Sequence, residues 1–90
     1  MPQAIVDPEE LRRFAQSLKK FSSDIQERLK SLSGQLAALE RTWRDQEQKK
    51  FSEEFERQMQ ALSRFIELVD RHVPYLIRKA EIIEEYLQQR

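Results

Sequence analysis

Two long apolar stripes, both at helical spacing and separated by a few polar residues, constrain this chain more than any other feature. Leu11, Phe14, Leu18, Phe21, Ile25, Leu29, Leu32, Leu36, Leu39 and Trp43 follow one another at gaps of three or four residues. The mean gap is about 3.6, the period of an α-helix. A second stripe runs Phe51, Phe55, Met59, Leu62, Ile66, Val69, Val73, Leu76, Ala80, Ile83 and Leu87. With one glycine, three prolines and few β-branched residues among 90, nothing competes with helix, and strands are not expected.

The punctuation agrees with two arms. Asp7 can cap, Pro8 suits the first helical position, and Glu10 stands three residues after Asp7, so helix 1 is predicted to begin at Pro8 and run to about residue 42. Asp45 followed by Gln48 repeats the capping-box spacing, which places the joint at 42–45 and helix 2 over about 45–87. Asp7 and Asp45 are thus the expected helix caps. So short a joint turns the chain back into an antiparallel hairpin with arms roughly 50 Å long. One uninterrupted helix from Pro8 is the competing arrangement, because the joint has no glycine C-cap. Gly34 lies inside the first stripe and reads as tolerated, where another helix packs close. Pro74 removes a backbone donor and crowds the carbonyl of Asp70; with the apolar spacing in phase on both sides, a kink near Pro74 is predicted rather than a break.

Helix 2 carries more apolar surface than one neighbour can cover. Ala61, Phe65, Leu68, His72, Tyr75, Ile82 and Tyr86 recur at steps displaced from the main stripe. A lone hairpin leaves that set in water, and a patch of that kind marks an interaction surface. Two hairpins face to face make a four-helix bundle, so these seven residues are the candidate dimer interface. A chain of 90 residues with no cysteine also gains stability from self-association, having neither a disulfide nor a cysteine zinc site. A strict heptad coiled coil fits less well, since the step from Ile25 to Leu29 departs from 3.5.

The charges narrow the partners. Sixteen Lys and Arg balance sixteen Asp and Glu, and pairs such as Glu9/Arg13, Asp24/Arg28, Glu53/Arg57 and Glu67/Arg71 alternate in sign along solvated helix faces. A nucleic-acid partner needs a one-signed basic stripe and is not expected. No apolar run reaches the roughly 18 residues of a membrane span, and the first residues lack the basic and apolar regions of a cleaved signal peptide.

Catalytic chemistry finds no support. His72 is the single histidine, Glu53/Glu54 and Glu84/Glu85 are neighbours that diverge by about 100° on a helix, and Glu-x-x-His pairs and glycine-rich phosphate loops are missing. The expectation is a protein that is not an enzyme and holds no cofactor or metal. Trp43, with Phe51 and Phe55, reads either as a small core at the turn or as an exposed anchor for a partner.

The stretches AIVDPEELRRFAQSL and KKFSEEFERQMQAL, with a tryptophan at the turn between them, resemble the WXG100, or ESAT-6-like, family. The resemblance implies helical hairpins that pair with themselves or with another WXG100-like protein, and export without a cleaved signal peptide by type VII (Esx) secretion. It also implies that the turn motif Trp43, Arg44 and Asp45 is a recognition element, engaging a partner such as an FtsK-like secretion ATPase. Two departures stand out. Asp45 occupies the place of the glycine in the Trp-x-Gly signature, which an N-cap aspartate can fill. The family's export motif, a tyrosine with an acidic residue four further on, is not matched, because Tyr75 is followed by Lys79 and Tyr86 by Arg90. The function expected is therefore a secreted substrate or secretion partner; the alternative is a cytoplasmic helical adaptor that is not exported.

Overall fold

A computed structural model describes residues 6–89; the first residues of the family-like stretch, Ala4 and Ile5, and the terminal Arg90 lie outside the described residues. Two helices, α1 (Pro8–Leu39) and α2 (Gln46–Gln88), make an antiparallel hairpin measuring 68 × 21 × 15 Å. The helices start where their caps allow. Asp7 has extended backbone and its carboxylate accepts from the Glu9 amide at 2.9 Å, with Pro8 in the first turn. The bond goes to Glu9, one residue earlier than the capping-box partner Glu10.

Helix α1 ends at Leu39, three residues before the boundary read from the sequence. The reason is a tightened last turn. The amides of Thr42 and Trp43 and the Thr42 hydroxyl all converge on the Leu39 carbonyl, at 3.1, 2.9 and 3.3 Å. Those bonds satisfy the helix end without glycine, and among the described residues no residue has a positive φ. Helix α2 passes through Pro74 as one continuous element.

Packing selects part of each sequence stripe. Leu11, Leu18, Ile25, Leu29 and Leu36 of α1 turn inward with Ala15 and Ser22, whereas Phe14, Phe21, Leu32 and Leu39 from the same stripe are half exposed. Inward residues of α2 are Phe55, Met59, Leu62, Ile66, Val69, Val73, Leu76, Ile77, Ala80 and Ile83. Ala15 and Ala80 have no solvent-exposed surface, so the helices approach closely near the open end, where a larger side chain would have to push them apart.

Polar ties fix the register at three levels. Near the open end Arg12 binds Glu84 at 2.8 Å. Midway, the Ser22 hydroxyl, 2% exposed, donates to Asp70 Oδ1 at 2.7 Å and accepts from Gln26 at 3.2 Å. At the turn, Gln48 and Ser52 of α2 both donate to the Glu40 carboxylate. Exposed pairs are less regular than the sequence spacing suggests. Glu67 and Arg71 approach to 4.0 Å, but Arg57 meets Glu54 and Asp24 meets Lys20. Such exposed pairs contribute little.

Glu84 is held below the usual carboxylate range, first by the Arg12 hydrogen bond and then by its charge. Arg12 in turn also feels Glu81 and Glu9, so one guanidinium serves three carboxylates. A depressed carboxylate stabilises the fold above its unfolded pKa and loses that contribution as pH falls through its folded value. We predict that Arg12→Gln lowers the urea midpoint at neutral pH, and that the gap from wild type closes on acidification through the carboxylate range. Gly34 gives the converse case. An added Cβ there meets nothing within 4 Å, so Gly34→Ala should raise stability by about 1 kcal/mol in urea unfolding.

Candidate functional site

Two features remain once the hairpin is packed: an exposed apolar face and an aromatic turn. Successive helical residues rotate by about 100°, and the inward residues give each helix a reference direction. Lys19, Ser23 and Gln26 of α1 lie to one rotational side of it, and so do Pro74, Ile77 and Glu81 of α2. These six line a single trough, which shows that this rotational side of both helices forms one broad face of the hairpin. Phe14, Phe21, Leu32 and Leu39 lie to the opposite side on α1, as do Phe65, Leu68, His72 and Tyr86 on α2, with Tyr75 and Ile82 at the outer edge of α2. Their exposures run from 46% for Phe65 to 59% for Tyr86 among the α2 apolar members. The surplus of both helices therefore gathers on the second broad face, where α1 contributes four large apolar side chains that the sequence reading had assigned to the intramolecular stripe. Ala61 is exposed and falls on the same side of α2. The trough on the other face is richer in serine, with Ser22, Ser23, Ser33 and Ser63 along its continuation.

His72 is exposed within the apolar face, and its Nδ1 lies 2.8 Å from the Leu68 carbonyl. Since a carbonyl only accepts, Nδ1 carries the proton in that contact and Nε2 faces away. Among the described residues no group of three or more His, Cys, Asp or Glu could hold a metal ion. Glu54 is bound by Arg57 and Gln58 and sits below the ordinary carboxylate range for that reason.

At the turn, residues 40–45 fold back along the first turns of α2. Trp43 is half-buried and its ring lies 6.0 Å from Phe51, tilted by 40°. Phe51 stacks on Phe55 at 5.9 Å. Phe55 reaches inward while Phe51 stays 48% exposed, so the cluster joins the hairpin seam to the surface. Arg44 and Asp45 are exposed beside it. Asp45 caps α2, accepting from the Gln48 amide at 2.9 Å. Its φ of −88° and ψ of −175° are ordinary extended backbone, so the position of the signature glycine requires no left-handed conformation in this chain. The Gln48 side chain does not return to Asp45; it reaches Glu40 and Ser52 instead.

The chain belongs to the WXG100 family, whose model, described as proteins of 100 residues with WXG, matches residues 3–86. Among solved structures it is similar to the secreted protein EsxB of Bacillus anthracis str. Sterne. Identity there is 31%, coverage is 90% of this chain and 87% of that one, and the TM-score is 0.74. A single-residue variant of EsxB aligns with 29% identity over 94% and 96% of the two chains, at a TM-score of 0.80. The selenomethionine form gives 29% identity, 96% and 98% coverage, and 0.76. No curated protein matches the chain. No helix among the described residues is long and apolar enough to cross a membrane.

Asp45→Ala should cost about 1 kcal/mol in urea unfolding, because the Gln48 amide loses its acceptor, while Asp45→Gly should cost only a few tenths. Equal losses for the two would show that Asp45 acts through some contact other than the cap.

Proposed function

We propose that this protein acts without enzymatic chemistry as a dimer in type VII (Esx) secretion, as a secreted substrate or as the partner of one. The observation that carries the reading is the gathering of surplus apolar side chains from both helices on one broad face. A 68 × 21 Å outline gives that face more room than the roughly 800 Å² per partner of a stable interface. The chain as a whole is neutral, so two copies meet without net repulsion, as suits an isologous two-fold contact. Membership of the WXG100 family, whose members pair with one another, and the description of EsxB as secreted support the same reading. The occupant is a second copy or another WXG100-type hairpin, forming a four-helix bundle. The turn at Trp43, Arg44 and Asp45, with half of its aromatic cluster in solvent, is the element offered to a secretion ATPase of the FtsK-like kind.

A second reading, an adaptor retained in the cytoplasm, rests on one observation. Lys79 stands four residues after Tyr75 and Arg90 four after Tyr86, the reverse in charge of the acidic residue in the family's export motif. Both readings use the same face and part over what happens to the dimer.

Light scattering over a concentration series should give twice the 10.9 kDa chain mass. Phe65→Glu with Leu68→Glu should return the monomer mass with helicity intact, since neither side chain lies in the seam between α1 and α2. A monomer at every concentration sinks the homodimer and leaves a different WXG100 hairpin as the occupant. Export is tested by deleting the FtsK-like ATPase in a host that carries one: the substrate reading requires the protein to disappear from the medium, and the adaptor reading requires that it never be there. Trp43→Ala should abolish export while the dimer mass persists.

A further inference from the structure

The broad face opposite the apolar one has its charge divided between the two helices. Along the trough, the charged side chains contributed by α1 are Lys19 and Lys30, both basic. Those of α2 are Glu56, Glu67, Asp70 and Glu81, joined only by Arg78, which lies 3.5 Å from Glu81. Towards the open end Arg12 and Glu84 extend the same division and meet across the seam. Among the described residues Lys19, Lys30 and Glu56 enter no ion pair, and the Asp70 carboxylate receives only the Ser22 hydroxyl. The hairpin therefore presents a basic wall and an acidic wall to solvent, over a floor that includes Ile66, Val73 and Ile77.

We propose that the trough is a second surface for self-association: it takes the trough of another copy about a two-fold axis parallel to the helices, so that α1 of each lies over α2 of the other. The contact uses neither the apolar face nor the Trp43 turn. A partner of one sign satisfies one wall and is repelled by the other, whereas a second copy satisfies both. Charge also selects the orientation. An axis across the helices would lay α1 on α1 and bring like charges together; an axis along them lays basic wall on acidic wall and keeps every residue at its level. The Ser22 to Asp70 and Arg12 to Glu84 ties bracket Lys19, which places it over the stretch of the second copy that carries Asp70 and Glu81. The Ser22 and Glu40 ties bracket Lys30 in the same way, over the stretch from Glu56 to Glu67. Ser23, Gln26 and Ser63 break up the floor, so this contact is weaker than that of the apolar face and adds to it. A hairpin with a self-contact on each broad face goes on adding copies, from dimer to tetramer and beyond.

Light scattering over a concentration series tests this at about 0.01 M salt, where charges act over about 30 Å, and at about 1 M, where they act over about 3 Å. The mass should climb from two chains towards four at low salt and stay at two at high salt. Lys19→Gln, Lys30→Gln, Glu67→Gln and Glu81→Gln together leave the net charge at zero and should remove the climb, with helicity by circular dichroism unchanged. The equally neutral pair Glu53→Gln and Arg64→Gln, on the side of α2 turned away from α1, should leave it intact. The chain has no cysteine, so oxidising a mixture of Gln26→Cys and Ser63→Cys chains at low salt reads the orientation: linkage between the two variants should exceed linkage of either with itself. A wild-type dimer at every concentration in low salt overturns the proposal and leaves the apolar-face dimer standing, whereas a monomer at about 1 M salt overturns that dimer alone. Growth that the four glutamines do not stop, growth that salt strengthens, or Gln26→Cys chains linked chiefly to one another overturns the trough contact as well.

Discussion

The register between α1 and α2 is the constraint on which the rest of the molecule depends, and the Ser22 to Asp70 hydrogen bond at its midpoint is the clearest expression of it. A two-helix seam lined only by aliphatic side chains can slide by a turn at little cost. A buried hydroxyl whose acceptor lies on the other helix cannot, because slippage strands a polar group away from water. The Arg12 to Glu84 bridge and the Glu40, Gln48 and Ser52 cluster repeat the tie at either end. Ala15 and Ala80, both without exposed surface, add a steric condition, since a larger side chain at either place would push the helices apart.

Once the register is set, so is the surface. Inward rotation of Leu11, Leu18, Ile25 and Leu29 carries Phe14, Phe21 and Leu32 out, and burial of Ile66, Val69 and Val73 carries Phe65, Leu68 and His72 out on the same side. The buried apolar side chains among the described residues are small in number and mostly small in size: Ala15, Ile66, Val69, Val73 and Ala80. A hairpin of this kind buries too little to be strongly stable alone, and it carries the means of burying more on its outer face. The shortage inside and the surplus outside are one consequence of wrapping a wide apolar arc around only two helices.

The turn shows how a signature position can be filled by different chemistry. Glycine in the Trp-x-Gly motif offers backbone freedom, and Asp45 offers an acceptor for an unpaired amide. The extended backbone at Asp45 needs no such freedom, so the capping bond can take its place. Trp43 then anchors the connection to α2 through Phe51 and Phe55 while keeping part of the indole in solvent.

The sequence by itself determined that the chain is helical, that its helices are capped at Asp7 and Asp45, that it folds back on itself near Trp43, and that it resembles WXG100 proteins. These properties are local. They follow from a period of 3.6, from the side chains of Asp7 and Asp45, and from the scarcity of glycine and proline. It also showed that α2 carries too much apolar surface for one neighbour. What the sequence could not decide was which members of a stripe face the seam. Phe14 and Leu18, or Phe21 and Ile25, belong to one arc by spacing, and only the rotation of α1 against α2 separates them. The same holds for Ser22, a polar residue at helical spacing between Leu18 and Ile25 whose acceptor on the other helix no pattern shows, and for Arg12, whose partner lies 72 residues away at Glu84. Spacing encodes neighbours within a helix, whereas register, buried polar ties and the common direction of two exposed stripes arise only when the second helix arrives.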